Sequence, residues 1–281
     1  MMTPTPCGSL DVLRHGRFVA GLFLAAALAG CAAPGPSTQV QPLTAFDNEA
    51  MQASDLRIAD SALQGGDMDV ALSIYHRLTQ SHPTLIQAWT GLAAAHFLTG
   101  ELEAAKMVYN EVLQRFPDQQ LDARLGLARI ALRHRRLPEA MAHYESILAQ
   151  SPDHPLALAG LGVAYDLAGN AGQAQATYRR GLSAYPDHAA LRANLGLSLA
   201  LGGQPREAVN ILLGVTGVSS QLPQGRNNLA FAYGLLGRDD AAESILMTEQ
   251  ARGTAQDNLE FYRYVRTRMN LQAAAAQTSE L

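Results

Sequence analysis

A 34-residue period running from about Met51 to Gln256 constrains this chain more than any other feature. Trp89, Leu92, Ala93, Gly100, Ala105, Tyr109 and Pro117 recur as Leu158, Leu161, Gly162, Gly169, Ala174, Tyr178 and Pro186, at offsets 3, 4, 11, 16, 20 and 28 from the first residue of each set. Laid along the chain, the frame holds six units, 52–85, 86–119, 121–154, 155–188, 189–222 and 223–256, with a single slip at Gln120. Every unit has alanine at one place, Ala71, Ala105, Ala140, Ala174, Ala208 and Ala242. Four residues on stands a large side chain, Tyr75, Tyr109, Tyr144, Tyr178, Leu212 and Leu246.

This spacing dictates helical hairpins. Alanine lets two helix backbones approach closely, and a residue four further on shares its face. Gly65, Gly100, Gly169, Gly203 and Gly237 fall between the two helices of a unit and break the chain there. Pro83, Pro117, Pro152 and Pro186 end the second helix, because proline lacks an N–H and clashes with the preceding turn. A lone hairpin cannot bury its apolar face, so the units must stack. The pattern W-x2-L-G-x2-Y…A-x3-F…P of the tetratricopeptide repeat (TPR) resembles this spacing. The resemblance implies an all-α, right-handed superhelical solenoid of about six TPR hairpins, here at 51–256. Leu259, Tyr262, Val265 and Met269 form one helical stripe that predicts a capping helix at 257–271, followed by a tail at 272–281. In the fifth unit, Gly214 and Gly217 are expected to interrupt the second helix, and Ser220 stands where other units have proline.

The N-terminus carries an independent signal. Arg14, His15 and Arg17 precede the apolar run Phe18 to Leu28, which is too short to span ~30 Å of hydrocarbon and reads as a signal peptide over 1–30. Leu28-Ala29-Gly30-Cys31 resembles the bacterial lipobox, which implies lipidation at Cys31. Cys7, the other cysteine, lies in the cleaved segment, so the mature chain has no internal disulfide. Ala32 replaces the aspartate that retains such lipoproteins at the inner membrane; the resemblance implies the outer membrane, periplasmic face. Residues 31–50, with three Pro, two Gln, one Ser and one Gly, read as a flexible tether.

Composition narrows function. Losing Asp11, Arg14 and Arg17 with the signal peptide takes the net charge from −4 to −5, and no basic stripe offers phosphate neutralisation, so nucleic acid is not expected as a partner. The eight histidines include no pair at metal-binding helical spacing, and no cofactor or small-molecule substrate is expected. Neither a phosphate loop nor a G-x-S-x-G elbow occurs, and no set of nucleophile, base and oxyanion donor can be assembled, so the chain reads as non-catalytic. His96 takes the tyrosine-like position of its unit and reads as a packed residue. The other histidines of the repeats read as helix-end or turn residues. Arg133-His134-Arg135-Arg136 falls in the third unit's turn, where it is either a solvated turn or a contact for an acidic partner or lipid headgroups.

TPR proteins bind with the concave surface of the first helices. In this frame that surface comprises Leu63, Ala94, Phe97, Leu98, Arg129, Leu132, Val163, Asp166, Leu167, Leu197, Leu201 and Phe231. A mainly apolar groove of this kind suits an amphipathic helix or an extended apolar segment. The lysines of carboxylate-clamping TPR modules are missing, although Asn194 and Asn228 match part of that pattern.

Gly225-Arg226-Asn227-Asn228-Leu229-Ala230-Phe231-Ala232-Tyr233-Gly234-Leu235-Leu236-Gly237-Arg238, followed by Asn258-Leu259-Glu260-Phe261-Tyr262, resembles the end of the TadD proteins of the tight-adherence (Flp pilus) assembly system. These are also short TPR lipoproteins. The resemblance implies a protein–protein adaptor that helps assemble or position the outer-membrane secretin, with the secretin or other pilus-assembly subunits as partners. Pilotin-like or assembly lipoproteins of other pilus, outer-membrane protein insertion or polysaccharide-export systems are the alternatives.

Overall fold

A computed structural model describes residues 45–216, 223–248 and 250–279. Cys31, the signal peptide and most of the tether lie outside the described residues. Thirteen helices and no strand occur among the described residues. They form six hairpins: α1 (Ala45–Gly65) with α2 (Met68–Ser81), α3 (Ile86–Thr99) with α4 (Leu102–Arg115), α5 (Leu121–Arg133) with α6 (Leu137–Gln150), α7 (Pro155–Leu167) with α8 (Ala171–Ala184), α9 (Ala189–Leu201) with α10 (Pro205–Thr216), and α11 (Pro223–Leu235) with α12 (Asp239–Leu246). A single helix, α13 (Arg252–Ser279), closes the stack. Successive helices pack together, and each first helix also touches the first helix of the next unit. The fold is therefore an all-α solenoid of stacked helical hairpins.

The in-phase alanines explain the tight stacking: Ala71, Ala105, Ala140, Ala174, Ala208 and Ala242 are each 0% exposed. Residues this small bring backbones together, and the large residues one turn on fill the space beside them, with Tyr75, Tyr144, Tyr178, Leu212 and Leu246 almost wholly buried. Apolar residues surround most of the circumference of α3, α7 and α9, which are packed from several sides.

Position 15 of every unit adopts a left-handed backbone. Gly66, Gly100, Gly169, Gly203 and Gly237 have φ between 78° and 85°. In the first unit the left-handed residue is thus Gly66; Gly65, the expected breaker, is still helical in α1. In the third unit no glycine is available, and Arg135 takes the same conformation at φ 57°. A Cβ in this region crowds the following carbonyl, so Arg135→Gly is expected to raise stability by about 0.5–1 kcal/mol. Urea unfolding of the two chains checks this; a lower midpoint for the glycine variant would contradict it.

Three boundaries differ from expectation. The first helix begins at Ala45, inside the 31–50 tether, because no glycine or proline follows Pro42 until Gly65. The capping helix starts before residue 257 and runs through the expected tail to Ser279, since no glycine or proline follows Gly253 and Ala273–Ala276 are strong helix formers. The second helix of the fifth unit continues through Gly214 to Thr216, so Gly214 does not interrupt it. A mid-helix glycine costs about 1 kcal/mol, less than burial of Ala208, Val209 and Leu212 on the same helix supplies. Gly217 and Ser220 lie outside the described residues.

Two of the helix-end histidines act as N-caps. His154 Nδ1 accepts from Ala157 N and His188 Nδ1 from Leu191 N, both at 3.3 Å. His96 Nδ1 lies 2.5 Å from a Glu101 carboxylate oxygen.

Candidate functional site

The residues that shape the inner surface are set by a second glycine series. The sixth residue of units two, three and four is Gly91, Gly126 and Gly160. A Cβ at each would fall on the ring of a tyrosine from the preceding unit's second helix: Tyr75 over Gly91, Tyr109 over Gly126 and Tyr144 over Gly160. The eighth residue of the tyrosine's own unit is alanine in each case (Ala59, Ala93, Ala128), which denies the ring a seat there. Each ring therefore leans forward onto the next unit.

The arrangement reverses in the fourth unit. Gly162 occupies the eighth position and Asn194 the sixth position of the following unit. Tyr178 accordingly lies on Gly162 of its own unit, and Leu212 on Gly196 in the fifth. Small residues decide the seat because a ring can rest against a helix backbone only where no Cβ intervenes.

The forward-leaning tyrosines line two adjoining cavities of the groove, each about 390 Å³. The first holds Asp60, Leu63, Tyr75, Gln87, Thr90, Gly91, Ala94, Tyr109, Asp122 and Gly126. The second holds Leu132, Tyr144, Ala159, Gly160, Val163 and Asn194. Leu125, Arg129 and Leu156 belong to both.

The tyrosine hydroxyls differ in what they meet. Tyr75 donates to Asp60 Oδ1 at 2.5 Å. Tyr178 donates to Asp166 Oδ2 at 3.0 Å, while Ser198 donates to Asp166 Oδ1 at 2.7 Å. Tyr109 and Tyr144 have no hydrogen-bonding partner among the described residues. Burial pushes both of these phenols up to about 12, against the opposing field of Arg129. Burial, reinforced by the neighbouring carboxylates Asp60 and Asp166, drives Tyr75 and Tyr178 higher still.

These shifts predict an alkaline limit. The fold favours the neutral phenol, whereas an unfolded tyrosine ionises near 10, so the stability is complete below pH 10 and is lost as pH rises toward 12. Replacing Tyr109 and Tyr144 together by phenylalanine should make the loss shallower. Urea midpoints across this pH range, read with phenolate absorbance, check the effect; an unaltered slope in the double variant would remove it.

Of the residues assigned to the concave face from sequence, Leu63, Ala94, Arg129, Leu132 and Val163 line these cavities. Phe97 and Phe231 are instead core residues. Phe97 packs with Ala105, Tyr109, Leu127 and Ile130, and Phe231 meets Tyr262 edge-on at 5.2 Å. Both sit where the next helix covers them, so neither ring faces open space. Asp166 is engaged by Tyr178 and Ser198, and Leu197 packs against the C-terminal core. Leu98, Leu167 and Leu201 are exposed near the ends of α3, α7 and α9 and line neither cavity. The groove is more polar than expected, through Gln87, Thr90, Asp122, Asn194 and three phenols. Sequence reasoning placed the tyrosines only as partners of the alanines; the in-phase Gly91, Gly126 and Gly160 were the signal for their second role.

The charged run of the third turn is partly spent. His134 lies 3.7 Å from Glu103 and Arg136 3.7 Å from Glu139. The guanidinium carbons of Arg129 and Arg133 stand 4.6 and 4.9 Å from the centre of the Phe97 ring, at cation–π distance. Among the described residues, no three His, Cys, Asp or Glu side chains could hold a metal ion, and no helix is long and apolar enough to cross a membrane.

Comparison with known proteins agrees with this geometry. Tetratricopeptide-repeat family profiles match residues 53–84, 86–130 and 131–195. The chain is built of tetratricopeptide repeats. A curated relative, the CTR9 homolog of Arabidopsis thaliana, is 29% identical over 108 residues, 38% of this chain; the TPR chain spans about a tenth of that protein's length. Among solved structures, PilW, a widely conserved type IV pilus biogenesis factor, superposes with TM-score 0.63 at 20% identity, covering 75% of this chain and 97% of PilW. Pseudomonas aeruginosa PilF gives TM-score 0.58 at 13% identity, covering 71% of this chain and 90% of its own. At these identities the likeness concerns the TPR fold.

Proposed function

We propose that this TPR protein is a non-catalytic adaptor lipoprotein of a Flp/Tad-type pilus and secretion apparatus, held at the periplasmic face of the outer membrane through Cys31 and aiding the secretin. The observation that carries the adaptor role is the open inner groove, walled by Tyr75, Tyr109 and Tyr144 and centred on Arg129. An elongated groove with unpaired donors suits a polypeptide segment, which can satisfy them along its length. The pilus assignment draws on the Gly225–Arg238 segment and the lipobox-like residues before Cys31. The fold likeness to PilW favours one second reading, an assembly lipoprotein of a type IV pilus.

Pull-down from detergent-solubilised membranes with the full chain as bait, followed by mass spectrometry, tests the proposal. Recovery of a secretin with Flp/Tad subunits is the expected result, and it should fall in a chain carrying Leu132→Asp and Leu156→Asp. Type IV pilus subunits instead would select the second reading. Recovery of outer-membrane insertion or polysaccharide-export components would reject both. Cys31→Ala is expected to abolish metabolic lipid labelling and membrane fractionation.

A further inference from the structure

We infer that the inner groove carries a receptor for an acidic side chain, formed by Arg129, which lines both cavities, with Arg133 beside it on the Phe97 ring at the groove's edge, and that its ligand is an Asp or Glu within an extended partner segment. The inference rests on the adaptor reading and names the chemistry of the segment the groove holds.

Arg129 and Arg133 lie one turn apart on α5, so their like charges repel. Both guanidinium groups are nonetheless held against the same buried ring, at 4.6 and 4.9 Å. No carboxylate among the described residues, Asp122 of the same groove included, comes within ion-pair distance of either group. In a chain of net charge −4, other arginines find acids: Arg77 meets Asp55, Arg179 meets Glu207, and Arg263 and Arg266 share Asp239. Two preorganised cations without an anion form a site complementary to one, and a guanidinium stacked on a ring keeps its N–H donors directed outward in its own plane.

The surroundings select a side-chain carboxylate over a chain terminus. Arg129 is shared by two cavities, one reaching Asp60 and Leu63, the other Val163 and Asn194. The groove continues on both sides of the cation, so a bound segment continues past it in both directions. The partnerless hydroxyls of Tyr109 and Tyr144 line the same cavities as Arg129 and can bond the segment's backbone. Gly126 and Gly160 lie beneath those rings, so their replacement would move the hydroxyls.

The test is binding of the full chain to an array of random 12-residue peptides, each made with a free and an amidated C-terminus. The expected result is enrichment of an internal Asp or Glu, indifferent to amidation. Arg129→Gln should weaken the selected peptides at least about tenfold and Arg133→Gln less, with Arg129→Lys recovering part of the loss because it keeps the charge without the planar fork. Raising salt should weaken wild-type binding and leave the Arg129→Gln residue of binding nearly unaffected. Unfolding midpoints show whether each variant is folded; both arginines are solvent-exposed, so they should match wild type. Selection of apolar peptides insensitive to Arg129→Gln, dependence on a free C-terminus, or no selection at all would each overturn the inference. The adaptor reading is separable, since it stands if Arg129→Gln bait still recovers the pilus subunits and fails if wild-type bait does not.

Discussion

Replacing Gly160 by alanine is expected to destabilise the chain by about 1–3 kcal/mol, and the same replacement made in a Tyr144→Ala chain is expected to stabilise it by about 0.5–1 kcal/mol. The reversal follows from a single contact. A Cβ at residue 160 falls on the Tyr144 ring, which is 2% exposed, so the ring must shift out of its packed seat. Once the ring is gone, the atoms nearest the added methyl go with it and alanine's helix propensity in α7 remains. Tyr144→Ala alone should cost about 3–5 kcal/mol as a large buried aromatic deletion. Urea midpoints of the four chains give the coupling directly. A Gly160→Ala effect of the same sign in both backgrounds would show that the ring does not rest on this backbone.

Ending the chain before Arg252 should release the sixth unit as a separate, weaker transition. Through α13 the stack covers its last apolar face: Ala255, Leu259 and Tyr262 are buried, and Val265 and Met269 pack behind them. Polar contacts fix its angle, with Arg266 Nη1 donating to Gly234 O at 2.5 Å and to Asp239 Oδ1 at 2.9 Å, and Arg263 Nε donating to Asp239 Oδ2 at 2.7 Å. Those two arginines hold the Asp239 carboxyl below its usual range. Repeat arrays lose stability by nearest-neighbour terms, so removing the cap strips one whole interface from α11 and α12 and leaves the first units almost untouched. Hydrogen exchange should then show α11 and α12 unprotected while α5 to α8 stay protected. The point variant Leu259→Ala should act in the same direction at about 2–4 kcal/mol. A truncated chain that unfolds in one transition at the wild-type midpoint would refute this role.

Repeat count, hairpin order and the capping stripe were legible from sequence because each depends on residues a few positions apart on one chain. Ala105 and Tyr109 share a helix face by spacing alone, and Pro117 stops a helix wherever it stands. The left-handed turn was equally visible at Gly100 but not at Arg135, where stacking imposes a conformation that arginine does not favour. Legibility failed at Phe97 and Phe231, since position in the repeat says which way a side chain leaves its helix but not whether the next unit covers it.

By itself, then, the sequence determined a stack of six helical hairpins with a cap, because period, small residues and breakers act locally. Tertiary structure alone decided what the groove contains. Whether Tyr144 leans onto Gly160 or, like Tyr178, back onto its own unit depends on two backbones from different units meeting where one lacks a Cβ. That choice lets Tyr75, Tyr109 and Tyr144, buried in the core, also wall the groove, and the pairing of Arg129 and Arg133 on Phe97 follows from the same packing of α5 against α3. Each depends on the relative placement of successive units: the in-phase glycines mark where a ring can seat, but only packing across the whole interface brings the ring there.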